Sequence, residues 1–191
     1  TPELHALLDV LVPGQAPLDQ RVDAARALHP VLDAFLPPMQ GSTLTPTMTS
    51  ASRKRNVVPA QAELVLDCRT LPGTSEQELY AEIREALGDL PLELEPHEPP
   101  DGGTRSPLGT PLEAACRSFV EQLEPGALLA PCITTGFTNS HWVREAFGTV
   151  AYGFMPLRHT DPALAAAVIH SADERIQQDD MVVAVEYLEH V

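Results

Sequence analysis

The sequence predicts an α/β chain in two parts: an α+β two-layer sandwich over residues 1–98 and part of an α/β layer over 104–191. Three observations predict it. Residues 43–96 run through strand, strand, helix and strand patterns with one strand face polar, as in a sheet that meets water on one side. Beyond residue 104, the apolar runs 127–133 and 149–154 alternate with helical segments, the pattern of a parallel layer buried on both faces. Between them the stretch 96–107, with Pro99-Pro100-Asp101-Gly102-Gly103, breaks every period and marks a boundary.

The elements follow in order. Leu4, Leu7, Leu8 and Leu11 in 2–11, then Val22, Ala25, Leu28, Leu32 and Phe35 in 18–36, recur every three or four residues, so two amphipathic helices open the chain. In 43–50, threonines alternate with Leu44, Pro46 and Met48. Proline has no N–H to donate, so this is an edge strand or a strand end. In 62–69, Ala62, Leu64, Leu66 and Cys68 fall on one face and Glu63, Val65, Asp67 and Arg69 on the other, which predicts a half-exposed antiparallel strand. Leu71-Pro72-Gly73 is a turn. Ser75 and Glu78 form a capping box, Leu79, Tyr80, Ile83 and Leu87 an apolar stripe, and Gly88 a C-cap, so a helix lies between them. A short strand is expected at 90–94. In the second part, 112–123 and 140–147 read as helices, 127–133 and 149–154 as strands, and 155–167 as a loop. A closing helix from about Gln178 carries Met181, Ala184, Val185, Leu188 and Val191.

Composition narrows the function. The 191 residues are 43% hydrophobic, enough for a buried core. With 12 Lys and Arg against 27 Asp and Glu, the net charge of -15 repels nucleic acid and anionic membrane. No apolar run approaches the roughly 20 residues of a bilayer span, and no basic-then-apolar signal opens the chain. A soluble, cytoplasmic protein is expected. Three widely spaced cysteines, Cys68, Cys116 and Cys132, suit neither a disulfide framework nor a thiolate zinc site.

Four motifs in one order carry a resemblance. Asn56-Val-Val-Pro59 with Asp67-Cys-Arg69 and Leu71-Pro72-Gly73 resembles the lid, or dimerisation, domain of the aminoacylase and carboxypeptidase G zinc metallopeptidases, which include acetylornithine deacetylase and succinyl-diaminopimelate desuccinylase. Thr134-Thr-Gly-Phe-Thr-Asn-Ser-His-Trp142, Ala151-Tyr-Gly-Phe-Met-Pro156 and His170-Ser-Ala-Asp-Glu174 resemble the last part of their catalytic domain. The resemblance covers roughly 40–191, and the helices of 1–38 resemble an insert within the lid. It implies a lid at 1–98 and a C-terminal portion of the catalytic domain at 104–191.

The resemblance also implies site residues. Asn56 and Arg69 match lid positions that hold the substrate carboxylate or the scissile amide, and the planar fork of an arginine suits two carboxylate oxygens. From the residues alone, Arg69 would pair with Asp67 or Glu63, and Asn56 would be a turn residue. Thr135, Gly136 and Thr138 match a substrate-binding loop beside the metals; the same residues also read as a strand-to-helix turn with Thr138 or Ser140 as N-cap. His170 matches the last ligand of a two-zinc site, as a neutral imidazole. Asp173 and Glu174 read as supporting or capping acids.

Two positions depart from the pattern: Asn139, where aspartate is commoner, and His141, where many relatives have arginine. Ser140 and His141 are not a nucleophile and base, because neighbours in a helix point about 100° apart. The remaining metal ligands and the general-base glutamate of such enzymes lie in an N-terminal half that these residues do not contain. The expectation is therefore a fragment of a zinc-dependent amidohydrolase acting on N-acyl amino acids or small peptides, inactive by itself, with no catalytic residue of its own, completed by the missing N-terminal half and able to form a homodimer. The alternative is a non-catalytic dimerisation or assembly module.

Overall fold

A computed structural model describes residues 1–97, 102–134 and 136–191. The chain forms two compact units, one of Gln40–Thr104 and one that joins Thr1–Met39 to Arg105–Val191. The first 39 residues therefore share a body with the C-terminal part. The proline-rich stretch falls partly outside the described residues, at 98–101.

The 40–104 unit is built on an antiparallel hairpin of β1 (Thr43–Ser50) and β2 (Glu63–Arg69), the whole of the sheet found among the described residues. Thr43 faces Arg69 and Ser50 faces Glu63, with an irregularity between Pro46 and Met48. Proline supplies no N–H to the ladder at that point, and Thr47 turns its hydroxyl to Val65 O instead, at 3.2 Å. The expected alternation in β2 is blurred: Leu64 is exposed, and no hairpin residue is fully buried.

Helix Glu76–Leu87 opens with the predicted capping box. The Glu78 carboxylate accepts from Ser75 N and Ser75 Oγ, both at 2.8 Å, and Glu78 N donates to Ser75 Oγ at 3.3 Å. Gly88 ends the helix at φ 65°, a left-handed value that glycine adopts without a Cβ penalty. Leu79 and Ile83 from the expected stripe are the buried core of this unit among its described residues. The strand expected at 90–94 forms no ladder. Leu92 and Leu94 are half-buried between exposed Pro91, Glu93 and Glu95, so the period survives, but Pro91 and Pro96 remove donors at both ends.

In the other unit, α1 (Pro2–Leu11) starts at Thr1, whose hydroxyl accepts from Leu4 N at 3.2 Å. The single helix expected over 18–36 is two, α2 (Leu18–Arg26) and α3 (Val31–Phe35), because Pro30 removes a helical donor. As a result Leu28, expected in the core, is exposed. Leu4, Leu7, Leu8, Val22 and Ala25 pack with Leu36 and Met39 beyond them, and Ala130 and Ile133 lean on this cluster. Numbering the Glu76–Leu87 helix α4, the chain continues with α5 (Pro111–Leu123), α6 (Ser140–Phe147), α7 (Pro162–Val168) and α8 (Gln178–His190). α7 replaces part of the loop expected to Ala167. Asp161 caps it, accepting from Ala163 N at 2.8 Å and Leu164 N at 3.0 Å, with Pro162 at its first turn.

A second core joins α5 to α8. Cys116 and Phe119 meet Val183 and Tyr187, with Leu129, Tyr152 and Phe154 packed against them. The Phe119 and Phe154 rings lie 5.5 and 5.2 Å from the Tyr187 ring, both edge-on. Leu129 comes from the run 127–133, and Tyr152 and Phe154 from 149–154. Both runs were expected as strands, and neither belongs to a ladder among the described residues. A continuous apolar run becomes a strand only when a neighbouring strand pairs its backbone groups; here side chains take some of them instead, with Ser106 Oγ accepting from Ala151 N at 2.9 Å and Arg117 Nη1 donating to Leu129 O at 3.2 Å. The folded class is thus α+β, helices with a two-stranded sheet.

The chain exposes 13485 Å². Two separate compact bodies of these sizes would expose about 10,600 Å², so the chain leaves more surface open than such bodies would. α6 shows Trp142, Val143 and Phe147 to solvent, and α8 shows Met181, Val182, Val185 and Leu188. Among the described residues, no helix is long and apolar enough to cross a membrane.

Candidate functional site

In the 40–104 unit, Asn56 lies in the exposed turn that links β1 to β2. That turn is ordered by short-range bonds: Ser52 Oγ donates to Lys54 O at 2.9 Å, Lys54 N donates back to Ser52 Oγ at 3.2 Å, and Val57 N reaches Lys54 O at 3.3 Å. Arg69 ends β2 and grips Asp67 with its fork, Nε to Oδ1 at 2.9 Å and Nη2 to Oδ2 at 3.0 Å. Both partners are about half exposed, with side chains at 51% and 43%. An ion pair so wetted contributes about 0.5 kcal/mol, and an incoming carboxylate could displace Asp67 at small cost.

In the other unit, Thr135 lies outside the described residues. Gly136 N donates to Thr134 Oγ1 at 3.4 Å. Thr138 does the capping work at the start of α6: its hydroxyl accepts from Ser140 N at 3.3 Å, and its carbonyl from His141 N at 3.1 Å. Asn139 occupies the N-cap position without a side-chain bond to the helix. His141 is buried between two rings, Phe137 at 4.9 Å and Trp142 at 4.6 Å.

His170 follows α7 in an exposed turn closed by Ser171 N to Val168 O at 2.9 Å. Its backbone has φ 61°, the one positive φ outside glycine among the described residues. A left-handed non-glycine residue stores about 1 kcal/mol and persists where surrounding structure or function requires it. Asp173 and Glu174 are exposed nearby in sequence, and Asp173 N caps back to Ser171 Oγ at 3.1 Å. Among the described residues, no three His, Cys, Asp or Glu side chains gather as a metal site. One imidazole does not hold a zinc ion, which takes four donors. The donor set therefore does not fit a complete zinc centre.

The most tightly held charge is a residue that the sequence reading passed over. Asp180, in the first turn of α8, is fully buried. Its Oδ1 accepts from Arg158 N at 2.7 Å and His159 N at 2.9 Å, and its Oδ2 accepts from Thr160 N at 2.9 Å and from the Thr160 hydroxyl. Burial pushes the carboxyl up, but the Thr160 hydroxyl and the three backbone N–H groups outweigh it and bring it down to about 2. The signal was present, since Asp180 shares the i, i+3, i+7 stripe with Val183 and Tyr187.

Against known proteins, the hairpin and its helix are the part that finds a counterpart. Residues 15–95 match the peptidase dimerisation domain. The matched stretch takes in α2, α3, β1, β2 and α4. No curated protein and no solved structure matches the chain. Asn56 and Arg69 lie inside the dimerisation-domain match, whereas Gly136, Thr138 and His170 lie beyond it. Chemically, Arg69 offers a planar fork, Gly136 and Thr138 offer polar loop groups, and His170 offers an exposed imidazole.

Proposed function

We propose that this chain is the lid and C-terminal catalytic portion of a zinc-dependent peptidase or deacylase that cleaves the amide bond of N-acyl amino acids or small peptides in the cytoplasm. The observation that carries the proposal is the dimerisation-domain match at 15–95, which contains Asn56 and Arg69 in their expected motifs. Arg69 binds the substrate carboxylate in exchange for Asp67, and Asn56 donates to the amide or carboxylate. Gly136 and Thr138, with Thr135, line the substrate beyond the match. His170 contributes one metal donor; zinc and the remaining ligands come together only with the N-terminal half of the catalytic domain. The unladdered apolar runs 127–133 and 149–154 and the bare faces of α6 and α8 are what such a half would cover. Two copies associate through the dimerisation domain.

The test compares this chain with the same chain extended at its N-terminus. Zinc titration should find weak or no binding and no amide hydrolysis for the chain alone, with both gained on extension. Tight binding of two zinc ions by the chain alone would overturn the proposal. A second reading, a non-catalytic dimerisation module, is favoured by one observation: the match stops at residue 95. An extended chain that dimerises without zinc or hydrolysis would establish it.

A further inference from the structure

The chain is strongly acidic, yet three of its 12 basic residues stand together as Arg53-Lys54-Arg55 in the β1–β2 turn. All three are exposed, and none of their side chains has an ion pair or hydrogen bond among the described residues. The turn is fixed by Ser52, which bonds both the N–H and the carbonyl of Lys54, so the cations are presented on ordered backbone. Three like charges held side by side repel one another and favour an anionic partner.

The same unit carries a complementary surface. On α4, Glu78, Glu82 and Glu85 recur at i, i+4 and i+7 and share one exposed face, and Asp89 follows just past the Gly88 cap. Glu78 is occupied by the capping box, but Glu82, Glu85 and Asp89 have no partner among the described residues. Arg84 lies about 100° round the helix from Glu85 and does not neutralise the stripe.

We infer that the Arg53-Lys54-Arg55 turn docks on the Glu82, Glu85 and Asp89 face of a second copy of this chain. The inference rests on the dimer reading above. The dimerisation-domain match contains both surfaces. In a two-fold dimer each contact is made twice, so turn-to-stripe pairing brings together two basic turns and two acidic faces. The dimerisation-domain match, which spans both surfaces, and their opposite charge select a second copy as the occupant.

The experiment is a charge swap read by sedimentation velocity on the full chain. Arg53→Glu with Lys54→Glu and Arg55→Glu reverses the turn; Glu82→Arg with Glu85→Arg and Asp89→Arg reverses the stripe. The wild-type dimer should weaken at least tenfold between about 50 and 500 mM salt, because exposed charge pairs are screened. Each variant alone should lose at least tenfold in self-association. Mixing the two variants should restore association, because in the mixed dimer the reversed turn meets a reversed stripe and the native turn a native stripe. Restoration also excludes misfolding as the cause of the single losses. A wild-type dimer that survives turn reversal, or a mixture that stays monomeric, overturns the inference and leaves the dimer reading standing. A wild-type chain that is monomeric at every salt concentration overturns both.

Discussion

His170 holds a left-handed backbone that glycine would adopt more cheaply. His170→Gly should therefore raise stability by about 0.5–1 kcal/mol in denaturant titration, while the extended protein loses zinc affinity. A residue kept at a cost to the fold points to a role outside it, and a destabilised variant would remove that argument. Asp180 is the opposite case, since its charge is built into the structure. Asp180→Asn places an amide donor against three backbone N–H groups and a hydroxyl, and should cost about 2–4 kcal/mol.

The pH dependence of Asp180 follows from its low folded pKa. Its carboxyl titrates near about 2 when folded, against an ordinary 3.8, so its stabilisation is present above roughly pH 4 and is lost as pH falls toward 2. Thermal midpoints of wild type and Asp180→Asn should converge as pH drops from 5 to 2; parallel curves would contradict the assignment. For Arg69, lysine keeps the charge but loses the fork. In the extended enzyme, Arg69→Lys should raise KM by about tenfold or more, the effect of losing one bidentate contact.

Among the elements, α4 is the one whose ends and faces were all legible. Ser75, Glu78 and Gly88 have fixed local meanings, and the helix obeys them. Ser75→Ala should lower stability by about 1 kcal/mol, measured by urea titration, because it removes the cap. The runs 127–133 and 149–154 show where legibility ended. Their apolar pattern is real, since Leu129, Ile133, Tyr152 and Phe154 all pack on helices. A ladder, however, needs a second chain segment, and composition cannot reveal whether one is present. Pro30 and Asp161 were different, because both signals stood in the sequence. Pro30 breaks the 18–36 period, and Asp161-Pro162 opens α7 inside the expected loop. Asn56 and Arg69 stood in the sequence as motif positions; the burial of Asp180 was legible in its stripe with Val183 and Tyr187, but its partners were not, because they are largely backbone groups of 158–160, which leave no mark in composition.

At the scale of the molecule, surface accounts for the proposal better than any single residue. An exposed area of 13485 Å² is well above the roughly 10,600 Å² expected even of two separate bodies, and α6 and α8 show Trp142, Val143, Phe147, Met181, Val182, Val185 and Leu188 to solvent. The chain should accordingly bind an apolar dye such as ANS in its native state, and the extended protein should bind less of it per molecule. The proposal accounts together for the dimerisation-domain match and the uncovered apolar faces, by having another segment complete them. The most direct measurement is zinc stoichiometry with amide hydrolysis, on this chain and on its N-terminally extended form under the same conditions. The account predicts no tightly bound zinc and no turnover for the chain alone, and two zinc ions with turnover for the extended form. Two tightly bound zinc ions on the chain alone, or none on the extended form, would contradict it.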